Sequence, residues 1–140
     1  GGWSQVALEI NPKIEITAID LLDLKINHPQ IKFYKEDYLT FNYTRLEEKF
    51  DLILSDIAPN TTGHQSTDHL RISSMLFDIL ELFDTLMIKG GVFVTKIWKG
   101  REEKDLINII KSKFHEVSYF KPNSSRKDSV EIFIIAKKFN

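Results

Sequence analysis

Three acids stand where apolar runs end, and a lysine sits inside another such run. In Phe50–Gly63, FDLILSDIAPNTTG, residues Leu52, Ile53, Leu54 and Ile57 have the continuous apolar character of a parallel strand buried on both faces. Pro59 breaks the run, because proline fixes its own φ and donates no ladder hydrogen bond. The Asp56 carboxylate is thereby delivered to the carboxyl edge of a strand, where open α/β sheets bind their ligands. A lone Asp in such a place more often caps the next turn. Asp56 has company, however: Ile14–Leu21 and Ile31–Asp37 also read as strands, ending on Asp20 and Asp37. Acids are depleted in strands, so three such endings are informative. Carboxylates along one sheet edge suit a ligand rich in hydroxyl and amino donors and suit a bare phosphate poorly. Lys96, within Val92–Trp98, must find water, a carboxylate or a task. Glu131 opens the final apolar run, Val130–Lys137.

The elements that must position these groups follow from periodicity. Gly1-Gly2-Trp3 leads directly into a short helix that Asn11-Pro12 ends, an arrangement that lets a ligand approach the backbone at a helix N-terminus. Tyr43–Lys49 has room for one or two helical turns. Asp68–Ile88 carries a stripe of Ile72, Met75, Leu76, Ile79, Leu80, Phe83, Leu86 and Met87, with Ser66 or Thr67 as cap and Gly90-Gly91 as its end. Glu102–Phe114 is a second amphipathic helix, Val117–Lys121 a strand, and Pro122–Asp128 a polar, basic turn. The last two strands have the makings of an antiparallel, hairpin-like edge. The alternation predicts an α/β fold with a doubly wound, mostly parallel sheet in one domain spanning residues 1–140.

Composition narrows the function classes. No apolar run reaches the roughly 18 residues that a membrane helix needs. The chain has no cysteine, which excludes disulfides, thiolate metal sites and a cysteine nucleophile. With a net charge of -1, any nucleic-acid footprint must be a local patch. Lys99, Arg101, Lys121, Arg126 and Lys127 flank the strand of Lys96 and the final strand pair, and as a group they read as a phosphate-contacting rim. His28, His64, His69 and His115 have no metal-ligand spacing, so no metal is assigned.

Taken in order, GGWSQVA, the strand-end Asp20, LSDIAPNTTG, Asp68-His69, GGVFVTKIWKG and KPNSSRKDSVEIFIIA resemble the RrmJ/FtsJ family of ribose 2'-O-methyltransferases over nearly the whole chain. GGWSQ and SDIAPN are closer to its ribosomal RNA branch than to its tRNA branch. The resemblance implies a Rossmann-like S-adenosylmethionine methyltransferase fold with an antiparallel C-terminal strand, and a first strand and helix start upstream of Gly1. It implies that Gly1, Gly2 and Trp3 lie against the methionine part of S-adenosylmethionine. Asp20 would bind the cofactor's ribose hydroxyls, Asp37 its adenine amino group with Tyr38 alongside, and Asp56 would sit beside the transferred methyl. Lys96, as base, with Asp56 and Glu131 positioning it, would form the catalytic set. A ribose hydroxyl is a poor nucleophile, so its proton must be withdrawn as it attacks. Carboxylates beside Lys96 favour its charged form, and the family answers this with a second lysine upstream of the glycines. The implied substrate is a uridine of large-subunit ribosomal RNA, met on an assembled or nearly assembled subunit by a monomeric enzyme. The implied setting is the cytoplasm, or an organelle given an upstream targeting segment. The alternatives are a tRNA ribose methyltransferase and a catalytically silent domain that binds RNA or a partner. A nicotinamide-dependent oxidoreductase lacks its G-x-G-x-x-G.

Overall fold

The computed structural model describes residues 2–56, 74–98, 103–121 and 131–140. The chain divides into two compact units, Gly1–Arg45 and Leu46–Asn140. The first unit holds helix α1 (Gly2–Ile10) and strands β1 (Ile16–Ile19) and β2 (Ile31–Tyr34). The strands pair in parallel, Ile16 with Ile31 through Ile19 with Tyr34. A further bond from the Asp20 N–H to the Tyr34 carbonyl at 3.2 Å extends the ladder. Both strands are shorter than the sequence predicts. Asp37 therefore lies three residues beyond β2, in a turn whose Thr40 and Phe41 N–H groups both donate to the Asp37 carbonyl. The helical segment expected over Tyr43–Lys49 is a single 3-10 turn, Tyr43–Arg45.

The second unit contains β3 (Phe50–Ser55), helix α2 (residues 74–81), α3 (Phe83–Leu86), β4 (Met87–Trp98), α4 (Glu103–Lys113), β5 (Phe114–Phe120) and β6 (Glu131–Phe139). Its sheet order is β3-β4-β6-β5. β3 and β4 run parallel, while β6 runs antiparallel to both β4 and β5. The last two strands do pair as expected, but β6 lies inside this sheet and β5 takes the edge.

Two further expectations are corrected. The helix read to Ile88 breaks at Leu82, whose N–H bonds to the Ile79 carbonyl three residues back, and helical structure ends at Leu86. Met87–Gly91 is already strand: Gly90 adopts φ 85°, and a Cβ on Gly91 would stand 2.5 Å from the Met87 Cγ. The second correction concerns β3, which is not buried on both faces. Leu52 and Leu54 remain 38% and 40% exposed, because the described helices of this unit pack on the opposite face of the sheet.

On that covered face, Phe93 and Ile97 of β4 and Ile132, Ile134 and Ala136 of β6 meet Leu76 and Leu80 of α2 and Leu106, Ile107 and Ile110 of α4. Phe83 is the hub. Its ring packs edge-on against Phe93, Phe114 and Phe139, with centroids 4.7, 5.9 and 6.1 Å away. This core holds β4 and β6 in fixed register, and that register positions the site.

Candidate active site

Strand alternation explains how a charged group sits in a buried strand. Thr95 and Ile97 point into the core, so Lys96 between them points to the opposite face. Lys96 stands opposite Phe133 of β6, and Glu131, two residues before Phe133, shares its face. β3 runs parallel to β4 with Ser55 opposite Thr95, so the next residue, Asp56, comes level with Lys96. Three strands thus bring Asp56, Lys96 and Glu131 together, the grouping that the family resemblance implies. The Lys96 Nζ donates to Asp56 Oδ1 at 2.8 Å and lies 3.7 Å from Glu131 Oε1. Burial lowers the Lys96 pKa, but the hydrogen bond and charge of Asp56 and then the charge of Glu131 outweigh it. The ammonium is held above the ordinary lysine value. Lys96 is charged as it stands.

In the first unit, Asp20 and Asp37 follow paired parallel strands and make the same local bond. Asp20 Oδ1 accepts the Leu22 N–H at 3.0 Å, and Asp37 Oδ1 accepts the Leu39 N–H at 2.9 Å. Each carboxylate thus caps its own turn with one oxygen. The second oxygens, Oδ2, have no hydrogen-bond partner among the described residues and stay available as acceptors. Such a set of acceptors fits the hydroxyl and amino donors of an adenosine. Tyr38, beside Asp37, is half-buried, as is Trp3 in α1. Gly2 opens α1, and a Cβ built there would meet no atom of the described residues within 4 Å.

Gly1 lies outside the described residues, as do Lys99, Arg101, Arg126 and Lys127 of the basic rim and the Ala58-Pro59-Asn60 break. Lys121 is half-buried at the end of β5. Among the described residues no three His, Asp or Glu side chains gather as a metal site. No described helix is long and apolar enough to cross a membrane. Sequence reasoning gave Tyr43 no place at the site. Its hydroxyl donates to the Tyr38 carbonyl at 2.7 Å, a contact that no residue spacing announces.

Frame and site define a class: a Rossmann-like α/β protein with acceptor groups at the carboxyl ends of its strands. The comparisons narrow it. The pattern of the family described as FtsJ-like methyltransferase matches residues 1–139, and the chain belongs to that family. It is 37% identical over 146 residues to a Rickettsia bellii (strain RML369-C) protein, covering 97% of this chain and 64% of that one. It is 41% identical over 140 residues to an Acidiphilium cryptum (strain JF-5) protein, covering 97% and 62%. Both are named ribosomal RNA large subunit methyltransferase E. The chain thus spans a little under two thirds of the length of these relatives. Among solved structures it resembles a Plasmodium falciparum protein described as a ribosomal RNA methyltransferase, with TM-score 0.84 and 27% identity over 99% of this chain and 81% of that one. N-methyltransferase NodS from Bradyrhizobium japonicum WM9, solved with S-adenosyl-L-homocysteine, matches at TM-score 0.55 and 15% identity over 94% and 71%, a likeness of fold alone.

Proposed function

We propose that the protein is an RNA ribose 2'-O-methyltransferase acting on large-subunit ribosomal RNA at a uridine, with S-adenosylmethionine as methyl donor. The observation that carries this reading is Lys96 held by Asp56 and Glu131 at the end of three strands, in a chain of the FtsJ-like family. The relatives' names support ribosomal RNA as the substrate. The cofactor would supply a methyl group on a sulfonium, an electrophile that needs an aligned oxygen relieved of its proton as it attacks. Gly1, Gly2, Trp3, Asp20, Asp37, Tyr38 and Asp56 are the residues assigned to hold it, Asp20 on the ribose hydroxyls and Asp37 on the adenine amino group. The match over residues 1–139 supports a single methyltransferase domain. In this reading the enzyme is a monomer of the cytoplasm, where large subunits mature.

Lys96 is the group that meets the ribose 2'-hydroxyl. As an ammonium it cannot accept a proton until it gives one up, and the Asp56 carboxylate in contact with it is the acceptor. The hydroxyl proton grows steadily more acidic as the oxygen acquires its methyl group. Transfer from the hydroxyl to Lys96 and from Lys96 to Asp56 therefore balances, and Glu131 keeps Nζ on its line. Near-linear placement of the attacking oxygen supplies much of the remaining acceleration.

Methyl transfer to large ribosomal subunits lacking the modification, measured for the full-length natural protein and for Lys96→Ala, tests this. The variant is expected to lose about 10²- to 10⁴-fold in rate while binding S-adenosylmethionine nearly as before. Equal rates would remove Lys96 from catalysis. One observation favours a second reading: an ion pair that holds lysine charged also suits a silent domain in which it merely closes the sheet edge. Cofactor binding without methylation of any RNA by the natural protein would select that reading.

A further inference from the structure

The Asp37 carboxylate is oriented through a peptide plane that is held at both ends. The Leu39 N–H and the Tyr38 carbonyl belong to one planar unit. Its N–H donates to Asp37 Oδ1 at 2.9 Å, and its carbonyl accepts the Tyr43 hydroxyl at 2.7 Å. Rotating that plane would break both bonds, so the Asp37 carboxylate and the Tyr43 hydroxyl are mechanically coupled. Bonds in such a chain also polarise and strengthen one another.

Tyr43 is itself fixed. Its ring packs edge-on against Phe41 at 5.0 Å, and Phe41, buried, packs edge-on against Tyr34 at 5.0 Å. The Arg45 guanidinium lies 4.7 Å from the Tyr34 ring and 4.9 Å from the Phe41 ring, and it pairs with Glu36 at 2.7 Å. Burial, followed by the nearby Asp37 charge, pushes the Tyr43 hydroxyl up to about 12. It remains protonated, and a donor, across the working range of pH.

The Asp20 turn makes a useful contrast. It has the same carboxylate-to-amide bond, Leu22 N–H to Asp20 at 3.0 Å, but no side chain among the described residues bonds to the Leu21 carbonyl. A ribose offers two adjacent hydroxyls that rotate to meet an acceptor. An adenine amino group lies rigidly in its ring plane, so the carboxylate that reads it gains more from being fixed.

We propose that Tyr43 is a positioning residue for base recognition, setting the Asp37 carboxylate through the Tyr38–Leu39 peptide so that it accepts the adenine amino group of the cofactor. This rests on the cofactor reading above. The test is calorimetric titration of the full-length protein and its Tyr43→Phe variant with S-adenosylhomocysteine and with S-inosylhomocysteine, whose base carries oxygen in place of the amino group. Losing one orienting hydrogen bond is expected to weaken S-adenosylhomocysteine about tenfold. Preference for it over the inosine ligand, about tenfold or more in the wild type, is expected to fall to within about threefold. Both ligands weakening equally would mean that Tyr43 serves only packing, and would overturn the proposal.

Phe41→Leu separates the two roles. It disturbs the rings but keeps the hydroxyl, so it is expected to lower the melting temperature and preserve the preference. A measurement on the unaltered protein needs no variant. The Leu39 amide is expected to exchange its hydrogen about tenfold more slowly than the Leu22 amide after correction for intrinsic rates, and equal rates overturn the coupling. Should the wild type bind neither ligand, the cofactor reading fails and takes this inference with it. Should the wild type prefer adenine and Tyr43→Phe keep that preference, this inference alone fails.

Discussion

The two units hold their functional groups by different means. In Leu46–Asn140 a core of buried aliphatic and aromatic side chains fixes β4 and β6, and the Lys96 ion pairs stand on those strands. Among the described residues of Gly1–Arg45, Leu8 and Phe41 alone are buried, and every residue of β1 is partly covered. There Asp20 and Asp37 are placed by hydrogen bonds within their own turns. Alignment of a reacting atom tolerates little displacement, whereas a ligand that must enter and leave is served by local bonds that can open. In the proposed reading, the chemistry rides on the packed strands and the cofactor on the turns.

The largest expected effect tests the packed half of that contrast. Phe83→Ala removes the ring that touches Phe93, Phe114 and Phe139, and it should cost about 3–5 kcal/mol in urea unfolding. A cost under about 1 kcal/mol would mean that the hub is not what fixes β4. Next in size is a gap in local stability. Native-state hydrogen exchange should give the amides of β1 and β2 opening free energies about 2 kcal/mol or more below those of β4 and β6. Equal values would dissolve the comparison.

A pH dependence sharpens it further. Because the folded-state pKa of Lys96 lies above its unfolded value, near 10.5, its ion pairs contribute fully below that pH. The contribution is lost as pH rises through the folded value. Stability of the wild type relative to Lys96→Met should therefore be constant from neutral pH to about 10 and shrink above it, by no more than about 1 kcal/mol, as measured by denaturant titrations. A difference that vanishes already at neutral pH would contradict the charged lysine. The smallest effect belongs to the turn-held unit. Arg45→Lys exchanges a planar cation stacked on Tyr34 and Phe41 for a compact one, and should cost about 0.5–1 kcal/mol in thermal unfolding.

What could be read in the sequence follows the same division. Lys96, Asp56 and Glu131 stood out singly because a charge inside or beside an apolar run is conspicuous, but their pairing, seen in the ion pairs, was implied only by the family resemblance. The strands and the final antiparallel pair were legible from the apolar runs themselves. The interior place of β6 was not, since hydrophobic pattern alone does not order strands. The early end of the long helix was hidden because Leu86, Met87 and Ile88 suit a helix face and a strand equally, and Gly90 with its positive φ reads as a cap in either case. Asp37 was found as a residue but misplaced at a strand end. Its turn depends on backbone bonds to Thr40 and Phe41, and on the Tyr43 hydroxyl, that no periodicity encodes.

The interior position of β6 also bears on how the protein is made. Synthesis delivers β3, β4 and β5 before β6, yet among the described strands β5 pairs with β6 alone. While the chain emerges from the ribosome, β5 has no ladder to join, and Lys96 has Asp56 as company but not Glu131, which arrives with the late strand. The sheet of this unit is therefore complete only once this late segment has paired with both β4 and β5. The second partner of the lysine, Glu131, lies on the same strand that joins β5 to the rest of the sheet, so one segment completes both.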